Sequence, residues 1–182
     1  MKRIWDLVVR FWSSLLLSGR RLMRVISGGG MEFEAALSAV VFRADGRVER
    51  LGVISRKMVT SAFVNLLVDA LQAQSTPLAN MALFKYHDCG TGVGAEAAGD
   101  VGLGTPFGGA RVVGTQIEGA SINIYKSVAT IPFTSSLSIT EHGVFNASSG
   151  VTLMDRSLFT AIPVNNGDSI QFTYELTCNA GG

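Results

Sequence analysis

Hydrophobic and polar positions alternate most regularly near the end of the chain. In SIQFTYELTC, Ile170, Phe172, Tyr174, Leu176 and Cys178 fall on one side, and Gln171, Thr173, Glu175 and Thr177 on the other. That is the period of a strand with one buried face. The same period runs through MEFEAALSAVVF, at Phe33, Ala35, Leu37, Ala39 and Val41. Ala44-Asp45-Gly46 supplies a hairpin turn into VERLGVIS, and Asn165-Asn166-Gly167-Asp168 a tight turn before the last strand. MALFKYHDC (81–89), SINIYKSVATIPF and SSLSIT read as further strands, and Pro163 belongs at a strand end. In TSAFVNLLVDALQAQ the period lengthens, so that Phe63, Leu66, Leu67, Ala70 and Leu71 share one helical face. Thr60 or Ser61 caps this helix and Ser75-Thr76-Pro77 ends it after about four turns. About eight or nine short strands with one helix predict a mainly β fold over residues 31–182, a β-sandwich of jelly-roll type.

Residues 1–30 follow a different pattern. Trp5, Val8, Trp12, Leu15, Leu22 and Ile26 recur at three- and four-residue steps, with Arg3, Asp6, Arg10, Ser13, Arg20 and Arg24 opposite them. This predicts an amphipathic helical arm that ends at the flexible joint Gly28-Gly29-Gly30. Asp6 and Arg10 interrupt the apolar run, so neither a secretory leader nor a spanning helix is expected. The arm fits best as a docking element, with Trp5, Val8, Trp12, Leu15 and Leu22 packing on a partner and Arg20 and Arg21 also expected to bind it. A membrane interface is the alternative, since Trp and Arg suit it. Binding of nucleic acid is disfavoured, because the tryptophans lie in the apolar stripe and not on the basic face, where they could stack on bases.

Charge sharpens this division. The arm carries six basic side chains against Asp6 alone, +5, and residues 31–182 carry nine basic and thirteen acidic ones, −4. Only 16% of the 182 residues are charged and 21 are glycine, against about a quarter charged in ordinary soluble domains. Such a surface suits a subunit that covers itself with neighbours. Cys89 and Cys178 form no CxxC and predict two free thiols.

Candidate chemistry is sparse. Gly90-Thr-Gly-Val-Gly94 runs into further glycine, with no following lysine and no βαβ context, so it predicts a flexible or partner-ordered loop and not a phosphate loop. His87-Asp88-Cys89 on one strand sends neighbouring side chains to opposite faces, which is wrong for zinc. No serine sits in a Gly-x-Ser-x-Gly elbow. The stretch ITEHGVFNASSGVTLMDRSLF sets Glu141 beside His142 and Asp155 beside Arg156. Strand parity puts Ser138, Thr140 and His142 on one face and Leu137, Ile139 and Glu141 on the other, unless Gly143 marks a bulge. The pairs then read as a hydrogen-bond network closing a strand end. No catalytic, cofactor or metal residue is assigned, and no enzyme is expected.

ITEHGVFNASSGVTLMDRSLF and VNNGDSIQFTYELT, with the upstream KYHDCGTGVGAEA and GTQIEGASINIYKSVATI, resemble small virion structural proteins of tailed bacteriophages. The likeness runs from about Met31 to Gly182 and leaves the arm outside. It implies a virion component assembled in the host cytoplasm: a capsid decoration or cement protein that binds the major capsid protein or other virion proteins, or a tail or fibre part. A homo-oligomer, with a trimer favoured, would suit local threefold axes of a shell.

Overall fold

The computed structural model describes residues 31–57, 59–72, 80–150 and 152–180. The chain falls into two units, Phe33–Cys178 and the chain ends Met1–Glu32 with Asn179–Gly182. Of the second unit only residues 31–32 and 179–180 are described, so the arm and its candidate docking residues lie outside the described residues.

The chain is mainly β, with two antiparallel sheets and one helix longer than a turn among the described residues. Strands β1 (Glu32–Phe42), β2 (Val48–Lys57), β5 (Thr115–Glu118), β6 (Ile124–Pro132) and β9 (Ser169–Asn179) form a five-stranded sheet in the order β2-β1-β9-β6-β5. Strands β3 (Tyr86–Gly90), β4 (Val112–Val113), β7 (Leu137–Phe145) and β8 (Leu153–Val164) form a four-stranded sheet in the order β4-β3-β7-β8. Between β2 and β3 runs helix α1 (Ser61–Leu71).

Alternation decides which faces meet. Ala35, Leu37, Ala39 and Val41 of β1 are buried, as are Ile170, Phe172, Tyr174 and Leu176 of β9. They share a core with Cys89, Ile139, Val144, Met154 and Ile162 of the other sheet, a sandwich-like arrangement. The Thr60 hydroxyl accepts the Phe63 amide at 3.2 Å, the N-cap bond the sequence predicts. Phe63 then packs edge-on against Phe33 and Phe84, which anchors α1 to the core. Two elements are shorter than expected: α1 has 11 residues, about three turns, and the strand predicted from residue 81 begins only at Tyr86.

The two tight turns lock together. Asp168 accepts the amides of Ala44 (2.8 Å) and Asn165 (3.0 Å) and the Arg43 guanidinium (3.0 Å). Arg43 also binds Glu49 and the carbonyl of Pro163. The backbone amides of Ala44 and Asn165, with the Arg43 guanidinium, hold the Asp168 carboxyl below its usual range. The Asp168→Ala variant should lower the thermal midpoint and speed hydrogen exchange at the Ala44 amide; unchanged protection there would show that the clamp is unimportant.

Candidate functional site

The outer face of the four-stranded sheet carries the charged residues singled out in the sequence. The β7–β8 register shifts between Ile139 and Glu141, where Thr140 alone stands against Phe159, Thr160 and Ala161 of β8, and the side-chain parity of β7 changes across it. This corrects the parity expected from the sequence. Ile139 and His142 both face the core, whereas Thr140 and Glu141 both reach the glycine-rich segment outside. Gly143 itself pairs regularly with Arg156 and Asp88, so the irregularity lies before the glycine that suggested it, between Ile139 and Glu141.

Glu141 is fully buried. Its carboxylate accepts the amides of Gly92 (3.0 Å), Gly104 (2.9 Å) and Thr105 (2.7 Å), and Nε of Arg156 (2.8 Å). Arg156 donates onward to Asp100 (3.0 Å) and to the carbonyls of Gly94 and Ala95. The Thr140 hydroxyl donates to the Gly92 carbonyl at 2.8 Å. Desolvation alone would raise the Glu141 pKa; the Thr105 and Gly104 amides and the Arg156 guanidinium overcome it and hold the carboxyl below its usual range. The glycine-rich segment is therefore not a loop awaiting a partner. It is clasped across the sheet by a carboxylate that the protein supplies itself.

The close approach explains two of the glycines. A Cβ on Gly90 would fall onto the Thr105 carbonyl oxygen and within 2.6 Å of Glu141, and one on Gly92 would lie 2.7 Å from the Glu141 carboxyl carbon. Nearby, Arg111 lies 3.4 Å over the Phe145 ring and 3.7 Å from Asp88. The clasp closes no strand end, because Glu141 lies at the middle of β7.

On the inner face, Nδ1 of His87 meets Nε2 of His142 at 3.0 Å, and Nε2 of His87 meets the Ser127 hydroxyl at 2.8 Å. Both rings are fully buried, and His142 lies 4.5 Å from the Phe172 ring. Burial pushes His87 down to about 4. Burial, with His87 beside it, pushes His142 well below the usual range. Asp155 binds the Ser157 hydroxyl at 2.6 Å, and burial pushes its carboxyl up to about 7. His87 and Cys89 face inward and Asp88 outward, as strand parity requires.

The groups around Glu141 are committed to one another, whereas Nδ1 of His142 and one carboxyl oxygen of Asp155 have no hydrogen-bond partner. A cleft of about 230 Å³ beside Arg156 is lined by Arg56, Lys57, Thr60 and Glu96. Lys57 is paired to Glu96 at 2.8 Å, and the Thr60 hydroxyl donates to the Leu153 carbonyl. Among the described residues no cluster of three or more His, Cys, Asp or Glu is placed to hold a metal, and both cysteines are free. No described helix is long and apolar enough to cross a membrane.

The chain matches no family model, no curated protein and no solved structure. The docking residues expected from the sequence (Trp5, Val8, Trp12, Leu15, Arg20, Arg21 and Leu22) lie outside the described residues. Sequence reasoning missed both the Glu141–Arg156 clasp and the His87–His142 contact. Glu141 and Arg156 are 15 positions apart, and only the β7–β8 register brings them together.

Proposed function

We propose that this chain is a structural protein of a tailed-bacteriophage virion, a capsid decoration or cement protein that binds neighbouring shell subunits. The observation that carries the reading is an asymmetry between the sheets. The four-stranded sheet has its outer face covered by the clasped glycine-rich segment. On the outer face of the five-stranded sheet, Phe42, Val48, Val53 and Ile117 are 36%, 48%, 49% and 46% exposed. These exposed apolar side chains lie on β1, β2 and β5, to either side of the polar row Gln171, Thr173, Glu175 and Thr177 of β9; they offer contacts for assembly, and the low charge of the chain agrees with it.

The finer fold reading belongs to the same proposal. A jelly-roll wrapping is supported by the first and last strands, β1 and β9, lying side by side within the five-stranded sheet. The basic arm serves as the latch onto the major capsid protein, and a trimer fits a threefold site of the shell. Deleting residues 1–30 should abolish attachment to particles and leave the body folded; undiminished occupancy would remove the arm from the proposal. The ratio of this protein to the major capsid protein in purified virions tests the whole reading. Immunogold labelling of negatively stained virions separates the shell from a tail or fibre position. The Trp5 and Trp12 stripe flanked by arginines also fits a membrane interface, and absence of flotation with anionic liposomes removes that alternative.

A further inference from the structure

We propose that the His87–His142 pair is a proton-operated tie between the two sheets, so that acid opens the fold when both rings are protonated. The tie crosses the core. Ser127 stands on β6 of the five-stranded sheet, while His87 on β3 and His142 on β7 belong to the four-stranded one.

The geometry admits one hydrogen between the facing nitrogens. At 3.0 Å, Nδ1 of His87 and Nε2 of His142 form a hydrogen bond only if one donates and the other accepts. Two imidazolium rings would point N–H at N–H, with like charges in contact inside a closed core. The site has no slack for the rings to turn away. A Cβ on Gly114, in the β4–β5 connection, would already lie 2.9 Å from the His87 ring, and Phe172 lies against His142.

No counter-charge meets the protons. The groups facing the pair are Cys89 from β3, Tyr125 and Ser127 from β6, Asp155 and Ser157 from β8, and Tyr174 from β9, and burial raises the Tyr125 phenol as well. Burial keeps the Cys89 thiol and the Tyr174 phenol protonated. Asp155 is the one carboxyl in this set, and below about pH 7 it is neutral.

A histidine whose folded pKa is depressed contributes full stability above its ordinary value, about 6.5, and loses it as pH falls. For His87 that loss runs down to about 4. The opposite shift of Asp155 offsets one of the two histidines across this window, and the other histidine remains uncompensated. The acid transition of the full chain should therefore be centred above about pH 4, where ordinary solvent-exposed carboxylates are still partly ionised.

Imidazole ¹⁵N NMR of the full-length protein, from pH 7 to pH 3, tests the proposal. Both rings should stay neutral while the native amide spectrum persists, then protonate in the same transition that abolishes it, with recovery on neutralisation. Either ring titrating near 6.5 in an intact fold overturns the proposal, as does a transition centred below about pH 3.5, which carboxylates alone would give. In the His142→Gln variant, which keeps a polar partner for His87 but cannot take the proton, the midpoint should fall by about half a pH unit or more. An unmoved midpoint counts against the tie; if that variant does not fold, the wild-type titration decides.

Discussion

The Glu141→Ala variant should lose about 3–5 kcal/mol of stability, the range for removing one partner of a buried ion pair. The physical cause is what stays behind. Three amides, those of Gly92, Gly104 and Thr105, lose their acceptor inside the protein, and Arg156 keeps only Asp100 and two carbonyls. Hydrogen exchange at the three amides should become fast while β1 and β9 stay protected, which separates release of the segment from global unfolding. The hole left behind is a small-anion site, because amide donors and a guanidinium converge on it. Formate at high concentration should therefore restore part of the thermal midpoint to the variant and none to the wild type, with chloride at equal ionic strength as control. A loss under about 1 kcal/mol, or unchanged exchange at Gly92 and Thr105, would falsify the clasp. The folded pKa of Glu141 is depressed, so its contribution is present above the ordinary carboxyl range and is lost as pH falls through the folded value.

How legible this architecture was depends on how local each feature is. The strand period of β9 and β1, the turns at Gly46 and Gly167 (φ 86° and 87°), and the Thr60 cap rest on neighbouring residues, and the structure has them where the sequence places them. The clasp rests on register across 15 to 49 positions, and nothing local announces it. Thr140 shows the limit most clearly. The register shift around it sets one residue of β7 against three of β8, with Ile139 in the core and Glu141 turned toward the glycines, and no glycine marks the place on either strand. The same event explains why the glycine-rich segment looked free. Its anchor is a carboxylate on a strand that begins some thirty residues after the segment ends, and the glycines are there to let that carboxylate approach the backbone.

The two polar sets divide the work between the faces of one sheet. Glu141, Arg156 and Asp100 hold the covering layer outside, and His87, His142 and Asp155 lie against the partner sheet inside. The outer set is satisfied by its own chain, whereas Nδ1 of His142 and one carboxyl oxygen of Asp155 in the inner set have no hydrogen-bond partner. The five-stranded sheet keeps exposed apolar side chains on its uncovered face. A rigid body with one face already finished is what an assembling subunit needs, and this links the fold to the proposed role.

The inner set yields the second large effect, with the opposite sign. Asp155→Asn should stabilise the protein at pH 8 by about 2–4 kcal/mol, from about three pKa units at 1.4 kcal/mol each with allowance for relaxation. Asp155 is completely buried on β8, its carboxylate bound by the Ser157 hydroxyl, and burial raises its pKa to about 7. The folded state therefore binds this proton more tightly than the unfolded chain, whose carboxyl titrates near 3.9. Stability from this group is fullest below the unfolded value and falls as pH rises through about 7, because the buried carboxyl must then ionise. Asparagine has nearly the same shape, keeps an acceptor for Ser157 and never ionises. At pH 5 the protonated aspartic acid and the asparagine are close equivalents, so the two proteins should agree within about 1 kcal/mol. Urea denaturation at pH 5 and pH 8 reads the difference directly. Equal destabilisation by Asp155→Asn at both pH values would mean that the carboxylate is charged and satisfied in the native core, and that the neutral inner set described for this sandwich is wrong.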